Sequence, residues 1–458
     1  MLSDFHFDPL FDPAKLPELR RAPITEWPAI LSRPDSATRV SAFSDLQRAC
    51  GVRGADSPWP LVLSALREVK RVRPAPLFVT VSGDLLAHGF FCKFQKLVPS
   101  ATPAETSAFA AKTVAFLSQQ IHNTYPTVSV YLALGNNDSG CADYFETPGS
   151  AFLKSAAVSF AANIRDPEAR ASLAASFPRL GDYSVMLPGP MQNTRLIVLQ
   201  NIFESALYQG CNGQASAAPA AEQITWLRKQ LTDARDSGQQ VWVMAHIPPG
   251  IDVYTTFHRY LFAPGQACTV KQPQMFLSNG DLGGTIAEFG DVVRLAIFAH
   301  THMDEIKLLR NPDGKAVPVK MVPSISPING NEPSFMVAQV SPQTATIKDY
   351  EVYSATNAQG GVWNREYRYS DVYQLPDFSA KSVDQLTIAL IDDKSGEDDT
   401  SRAYERYFLA GGGTFAALGL QRLWPAYSCS LRELDPAAFH RCMCPGVAAP
   451  PAAAQATP

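Results

Sequence analysis

The chain of 458 residues lacks a long apolar run. No stretch reaches the roughly 18 residues that a membrane-spanning helix needs. It also lacks a basic block. Lys and Arg number 39 against 43 Asp and Glu, a net charge of -4, which excludes the cationic footprint of a nucleic-acid binder. Internal repeats are absent, which excludes a repeat architecture. Cysteine is sparse at eight, and three of these, Cys429, Cys442 and Cys444, cluster late. Two readings stay open for them: scattered reduced thiols, or an oxidised C-terminal staple in an exported protein. A secretory leader, basic and then apolar, is missing as well, since the chain opens Met1-Leu-Ser-Asp4-Phe-His6. Its first strand reads as cut to the last two or three residues. A periplasmic or secreted location, with upstream residues missing from this sequence, is therefore expected, and a cytoplasmic one is the alternative.

What is present is an ordinary globular composition, 46% hydrophobic and 18% charged, with ample chain to bury a core. Within it, one event recurs: an apolar run of strand character that ends in metal-binding residue types. Arg294-Leu-Ala-Ile-Phe-Ala ends in His300-Thr-His302, and the opening residues present Asp4-Phe-His6. Side chains two apart on an extended chain point the same way, so each pair aims at one point. Leu77–Val81 ends in Gly83-Asp84, with His88 four residues on. Val128–Leu134 ends in Gly135-Asn136-Asn137-Asp138. Val241–Ala245 ends in His246, whose exit path is set by Pro248 and Pro249. Any one of these also reads as a plain turn or a loop histidine.

The remaining chain reads as follows. Residues 14–60 carry little periodicity and are expected as irregular surface chain. Helices are expected over 61–70, 104–122, 150–178 and 221–231, with His122 given no role. Strands are expected at 195–199, 317–322, 335–340 and 346–352. Residues 139–190 form a helical lobe near the site. Specificity is expected to lie there and in the loop-rich 250–290, where His258 reads as a surface residue. Ser382 and Gln385 have capping-box spacing and open a helix through Leu390. The division expected is a catalytic domain 1–370, a helical domain 371–446 and a disordered tail 447–458.

Asp4, His6, Asp84, Asn136, His246, His300 and His302 amount to seven N- and O-donors. That number suits two divalent ions if one carboxylate bridges them. Imidazole mixed with carboxylate and amide favours zinc, with manganese or iron also fitting, over magnesium or calcium. Such a pair clamps a phosphate and shares an activated hydroxide.

The order Asp-x-His, Gly-Asp, Gly-Asn-x-Asp, His and Ala-His-x-His resembles the calcineurin-like metallophosphoesterases. Gly83-Asp84-Leu-Leu-Ala-His88, Ala55-Asp-Ser-Pro58 before a helix, Gln223-Ile-Thr-Trp226 and the loop Pro323–Pro333 resemble the acid sphingomyelinase-like phosphodiesterases more closely. The resemblance implies a four-layer α/β/β/α sandwich with a small C-terminal helical domain and the site at strand carboxyl ends. It implies that Asp4, His6, Asp84 and His302 hold one ion and Asp84, Asn136, His246 and His300 the other. The reaction implied is hydrolysis of a phosphodiester or phosphoanhydride in a small-molecule or lipid substrate. His88 would face the substrate as a proton donor or phosphate contact. Three positions depart from the pattern. Asn137 stands where the family has a histidine, and an amide can bond a phosphoryl oxygen but supplies no proton. Ala299 replaces a glycine. Ala55 replaces a cysteine, which removes one family disulfide and weighs against export. The Asn137 departure supports an alternative: a metal-binding but catalytically silent protein that recognises a phosphorylated ligand.

Overall fold

The computed structural model describes residues 1–270, 272–411 and 414–447. Two sheets face each other. The larger has six strands: β3 (Tyr183–Met186), β4 (Thr194–Val198), β5 (Gln240–Met244), β6 (Val293–Phe298), β7 (Ile306–Arg310) and β8 (Ala316–Met321). Their order is β3-β4-β5-β6-β8-β7, with β4, β5, β6 and β8 parallel. The second layer holds the parallel pair β1 (Phe78–Val81) and β2 (Ser129–Leu132). Beside it lies an antiparallel triplet, β9 (Ser334–Val340), β10 (Ile347–Ala355) and β11 (Trp363–Arg368). Met1 and Leu2 join these two parts. Leu2 bridges Val81, while Met1 and Met336 exchange backbone hydrogen bonds.

Period-two alternation explains the layering. On β4, Leu196 and Val198 face the cluster shared with the second sheet, whereas Ile197 faces the opposite cluster. The opposite cluster is completed by Leu227 and Leu231 of the helix Ala218–Asp236 and by Leu282 and Ile286 of Asp281–Glu288. Between the sheets, Trp242 meets Phe78 at 5.8 Å, and its indole N–H donates to the Ala345 carbonyl. The helices Trp59–Val72 and Pro103–Thr124 back the second sheet. The result is the α/β sandwich with helices outside.

Residues 14–60 are not irregular. They form the helices Leu16–Arg21, Trp27–Leu31 and Arg39–Ala49, which bury Leu19, Trp27, Ile30 and Leu46. The first two, of six and five residues, are too short to show a repeating stripe. Their prolines, Pro17 and Pro28, sit in first turns where a missing N–H costs nothing. The helix Ala380–Asp392 is capped by Ser379, whose side chain accepts from the Ser382 N–H, so Ser382 lies inside it rather than at its start. That helix packs on β7 and β8, and Val383, Leu386 and Leu390 belong to the main core. The region after 371 therefore shares a core with the sheets. Most of the tail expected to be disordered, from 448 on, lies outside the described residues.

All eight cysteines are paired: Cys50–Cys92, Cys141–Cys211, Cys268–Cys444 and Cys429–Cys442. The reading as scattered reduced thiols does not hold, and the bridges are those of a protein from an oxidising compartment. The missing cysteine at 55 does not weigh against this, because no other thiol is left without a partner.

Candidate metal centre

The parallel strands deliver their carboxyl ends to one place. Past Val81 the chain turns at Gly83 and presents Asp84. The β2 exit presents Asn136 and Asn137, the β5 exit His246, and the β6 exit His300 and His302. Asp4 and His6 enter from the N-terminal segment.

The structure brings these groups together. His246 Nε2 is 3.1 Å and His6 Nε2 3.4 Å from Asp84 Oδ2. Asp4 Oδ1 lies 3.6 Å from His302 Nε2, 3.8 Å from His6 Nε2 and 3.9 Å from His246 Nε2. His6 and His302 face each other nitrogen to nitrogen at 3.0 Å. His300 shares a cluster of metal-ligand atoms with Asp84 and His246. Asn136 is next in the chain to Asn137, which donates to Asp84, while its own amide donates to Asp143.

The extended geometry expected for the His-x-His and Asp-x-His pairs is not what orients them. Asp4, His6, Asp84, His300 and His302 all have positive φ, between 40° and 73°. Left-handed backbone costs a non-glycine residue on the order of 1–2 kcal/mol, so the surroundings must hold it. The loop after β8 does so. The Ser326 N–H donates to the Asp4 carbonyl at 2.9 Å and the Ser324 N–H to that of His302 at 3.2 Å. Asp138 ties the other side. Its buried carboxylate accepts from the N–H groups of Leu85, Leu86 and Gly135. A Cβ on Gly135 would sit 2.0 Å from Asp84 Oδ1, so only glycine fits there. Backbone carbonyls orient two imidazoles: His6 Nδ1–H donates to Leu86 and His246 Nδ1–H to Ser82, each at 2.8 Å. Their Nε2 atoms are left to face inward.

The cage is built for positive charge. Burial alone would depress His6 and His246, but Asp84 and Asp4 outweigh it and raise them to about 10 and about 9. Burial holds His300 and His302 neutral, at about 4 and about 3. Burial would raise the Asp84 carboxyl; His246, His6 and the Asn137 N–H instead hold it well below its usual range. Both Asp4 oxygens, Asn136 Oδ1 and His246 Nε2 are buried without a hydrogen-bond partner among the described residues. Buried donors left without partners are what a bound cation would satisfy, so the residues fit a divalent metal site.

Asn137 braces Asp84. Its backbone N–H donates to Asp84 Oδ1 and its side-chain amide to Asp84 Oδ2, both at 2.9 Å. His88 lies at the edge of the cage, stacked on His6 at 4.1 Å and part exposed.

Other residues here escaped the sequence reading. Asp56, fully buried, accepts from His88 and from Ser326 Oγ. Its signal was the Asp-Ser-Pro before a helix. Asp143, pushed up to about 6 by burial, accepts from Asn136 Nδ2 at 2.7 Å. The Tyr144 hydroxyl is 3.3 Å from His300 Nε2. These two come from the 139–190 region, and no short motif marks them. His258 stands on the surface, stacked on Tyr254.

A family model described as Calcineurin-like phosphoesterase matches residues 38–304. The human acid sphingomyelinase-like phosphodiesterase 3b is 26% identical over 407 residues, 85% of this chain and 80% of that protein. The mouse cyclic GMP-AMP phosphodiesterase SMPDL3A is 23% identical over 406 residues, 85% and 82%. Among solved structures, a dimetal phosphatase from Danio rerio aligns over 64% of this chain and 82% of its own, at 12% identity and a TM-score of 0.37.

Proposed function

The chain belongs to the calcineurin-like phosphoesterase family, and on that premise we propose that it hydrolyses a phosphodiester at a centre of two divalent ions. The carrying observation is the cage itself: two buried carboxylates and four imidazoles from distant parts of the chain, with unpartnered donor atoms inside it. Asp4, His6, Asp84 and His302 would hold one ion. Asp84, Asn136, His246 and His300 would hold the other, with Asp84 shared. Zinc suits this donor set, and manganese and iron fit it. When bound, such ions supply Lewis-acid charge at the phosphoryl oxygens and an activated water.

The chain's own residues supply the rest. Asn137 fixes both oxygens of Asp84, so the shared carboxylate cannot rotate away. His88 is held through Nδ1 by Asp56, which leaves its Nε2 to carry a proton to the departing alkoxide. Burial would raise the Asp56 carboxyl, but His88 beside it more than reverses this and keeps it below the usual range. A carboxylate-oriented imidazole is the arrangement that general acids use. It removes the need for a histidine at 137 and favours an active enzyme over a silent binder. Relatives named as phosphodiesterases of sphingomyelinase-like and cyclic dinucleotide type support a diester as substrate.

Purified protein assayed on bis(p-nitrophenyl) phosphate tests this. Turnover is expected with zinc, manganese or iron and none after chelation. No turnover with any of the three metals overturns it.

A further inference from the structure

We propose that Asp143 is a positioning residue for the second ion, the one assigned to Asp84, Asn136, His246 and His300: it turns the Asn136 amide so that oxygen, not nitrogen, faces the centre. The proposal rests on the two-ion reading above and names what controls its second half.

Asn136 is the one amide among the assigned ligands. The two ends of an amide have nearly the same shape and opposite chemistry. Its oxygen can ligate a cation, and its NH2 group, a donor, cannot. A partner must therefore decide which end points inward. Asn136 Nδ2–H donates to Asp143 Oδ1 at 2.7 Å. An ionised carboxylate accepts and never donates, so it admits the nitrogen end alone. Oδ1 is left on the other side, buried and without a hydrogen-bond partner among the described residues. That bond is also the one hydrogen bond either side chain makes among those residues. A charged acceptor behind the amide draws electron density onto its oxygen, which strengthens a neutral ligand.

The backbone keeps Asp143 in place. The Tyr144 N–H donates to the Asn136 carbonyl at 3.0 Å, which closes the loop on itself, and the Gln209 N–H donates to the Tyr144 carbonyl at 3.1 Å. Tyr144 has a φ of 60°, a conformation that costs a non-glycine residue energy and persists where its surroundings enforce it. Phe145 bridges Gln209, and Cys141–Cys211 staples the loop covalently to the same segment. Asp4, His6 and His302, assigned to the first ion, take no hydrogen bond from this loop among the described residues. The influence of Asp143 is thus confined to the second ion.

The test is a calorimetric titration of zinc into the chelator-stripped full chain at about pH 8, above the raised Asp143 value. The wild type is expected to take up two ions. Asp143→Ala should weaken one of them by roughly 10–100-fold, the usual effect of removing a group that orients a ligand, and leave the other unchanged. Asp143→Asn still offers an oxygen acceptor and should recover most of that loss. In an Asn136→Ala background, Asp143→Ala should add nothing further. Two ions of wild-type affinity in Asp143→Ala overturn the proposal and leave the two-ion reading standing. Equal weakening of both ions, no recovery in Asp143→Asn, or a further loss in the Asn136→Ala background assigns the residue a general structural role and also overturns it. A wild type that takes up fewer than two ions overturns the two-ion reading, and this proposal with it.

Discussion

Asp56 holds His88 at two points: the His88 backbone N–H donates to Oδ2 at 2.8 Å and ring Nδ1 to Oδ1 at 3.0 Å. Backbone and ring are pinned by one carboxylate, so the remaining ring nitrogen has a set direction.

If that nitrogen protonates the leaving group, Asp56→Asn and His88→Ala each lower kcat by roughly 100-fold on an alkyl diester, in the range of general-acid contributions. On bis(p-nitrophenyl) phosphate the loss should be slight, because nitrophenolate leaves without a proton. The double variant should be no worse than His88→Ala. Equal losses on both substrates would show that the pair only maintains structure.

Asn137→His separates an adapted enzyme from a silent binder. The substitution removes the amide bond to Asp84 Oδ2, whose loss is worth about 1 kcal/mol. A fall in kcat/KM of roughly fivefold is expected. A large gain from near-zero activity would instead favour the silent binder.

Gly135→Ala forces a methyl group onto Asp84 Oδ1. Bound metal measured by mass spectrometry should fall well below the wild-type ratio. Thermal stability should drop by roughly 2 kcal/mol, the range of overpacking substitutions. Wild-type metal content would mean that Asp84 tolerates displacement.

Chelation should lower Tm and re-addition of zinc should restore it, since an ion bound only by the folded state stabilises that state. His246→Ala should remove this dependence. A Tm indifferent to chelator would show that the cage holds no ion.

Away from the centre, burial raises several carboxyls, among them Glu204 to about 8, Glu366 to about 8 and Glu146 to about 7. Each is neutral in the fold below its raised value. Its stabilising contribution is full below the ordinary 4.5 and is lost as pH rises through the folded value. Tm should therefore decline between about pH 5 and about pH 8. Glu204→Gln should flatten that slope, and a Tm rising over this window would contradict the assignment.

Much of this was legible in the sequence, though not always for the reason it seemed. Most strands read correctly because β-branched runs such as Leu77–Val81 end in turn residues, whereas β3, β7 and β11 were not expected. The ligand-type residues were found because those turns fall at carboxyl ends of parallel strands. The i, i+2 argument picked out histidines that the structure brings to the cage, but by the wrong geometry: His300 and His302 lie beyond β6 in left-handed backbone, and sequence periodicity carries no trace of that. Asp56 and Ser326 meet at 2.9 Å across 270 positions, a pairing no local pattern encodes. The helices at 16–21 and 27–31 were missed because elements of six and five residues bury only two and three side chains, too few to show a period.

The cage is gathered from Asp4 at one extreme to His302 at the other, and the loop after β8 clamps both. During synthesis, Asp4 and His6 must wait unmatched until some three hundred further residues have emerged. The site is therefore complete only once the loop after β8 has docked, which makes it one of the last parts of the fold to form.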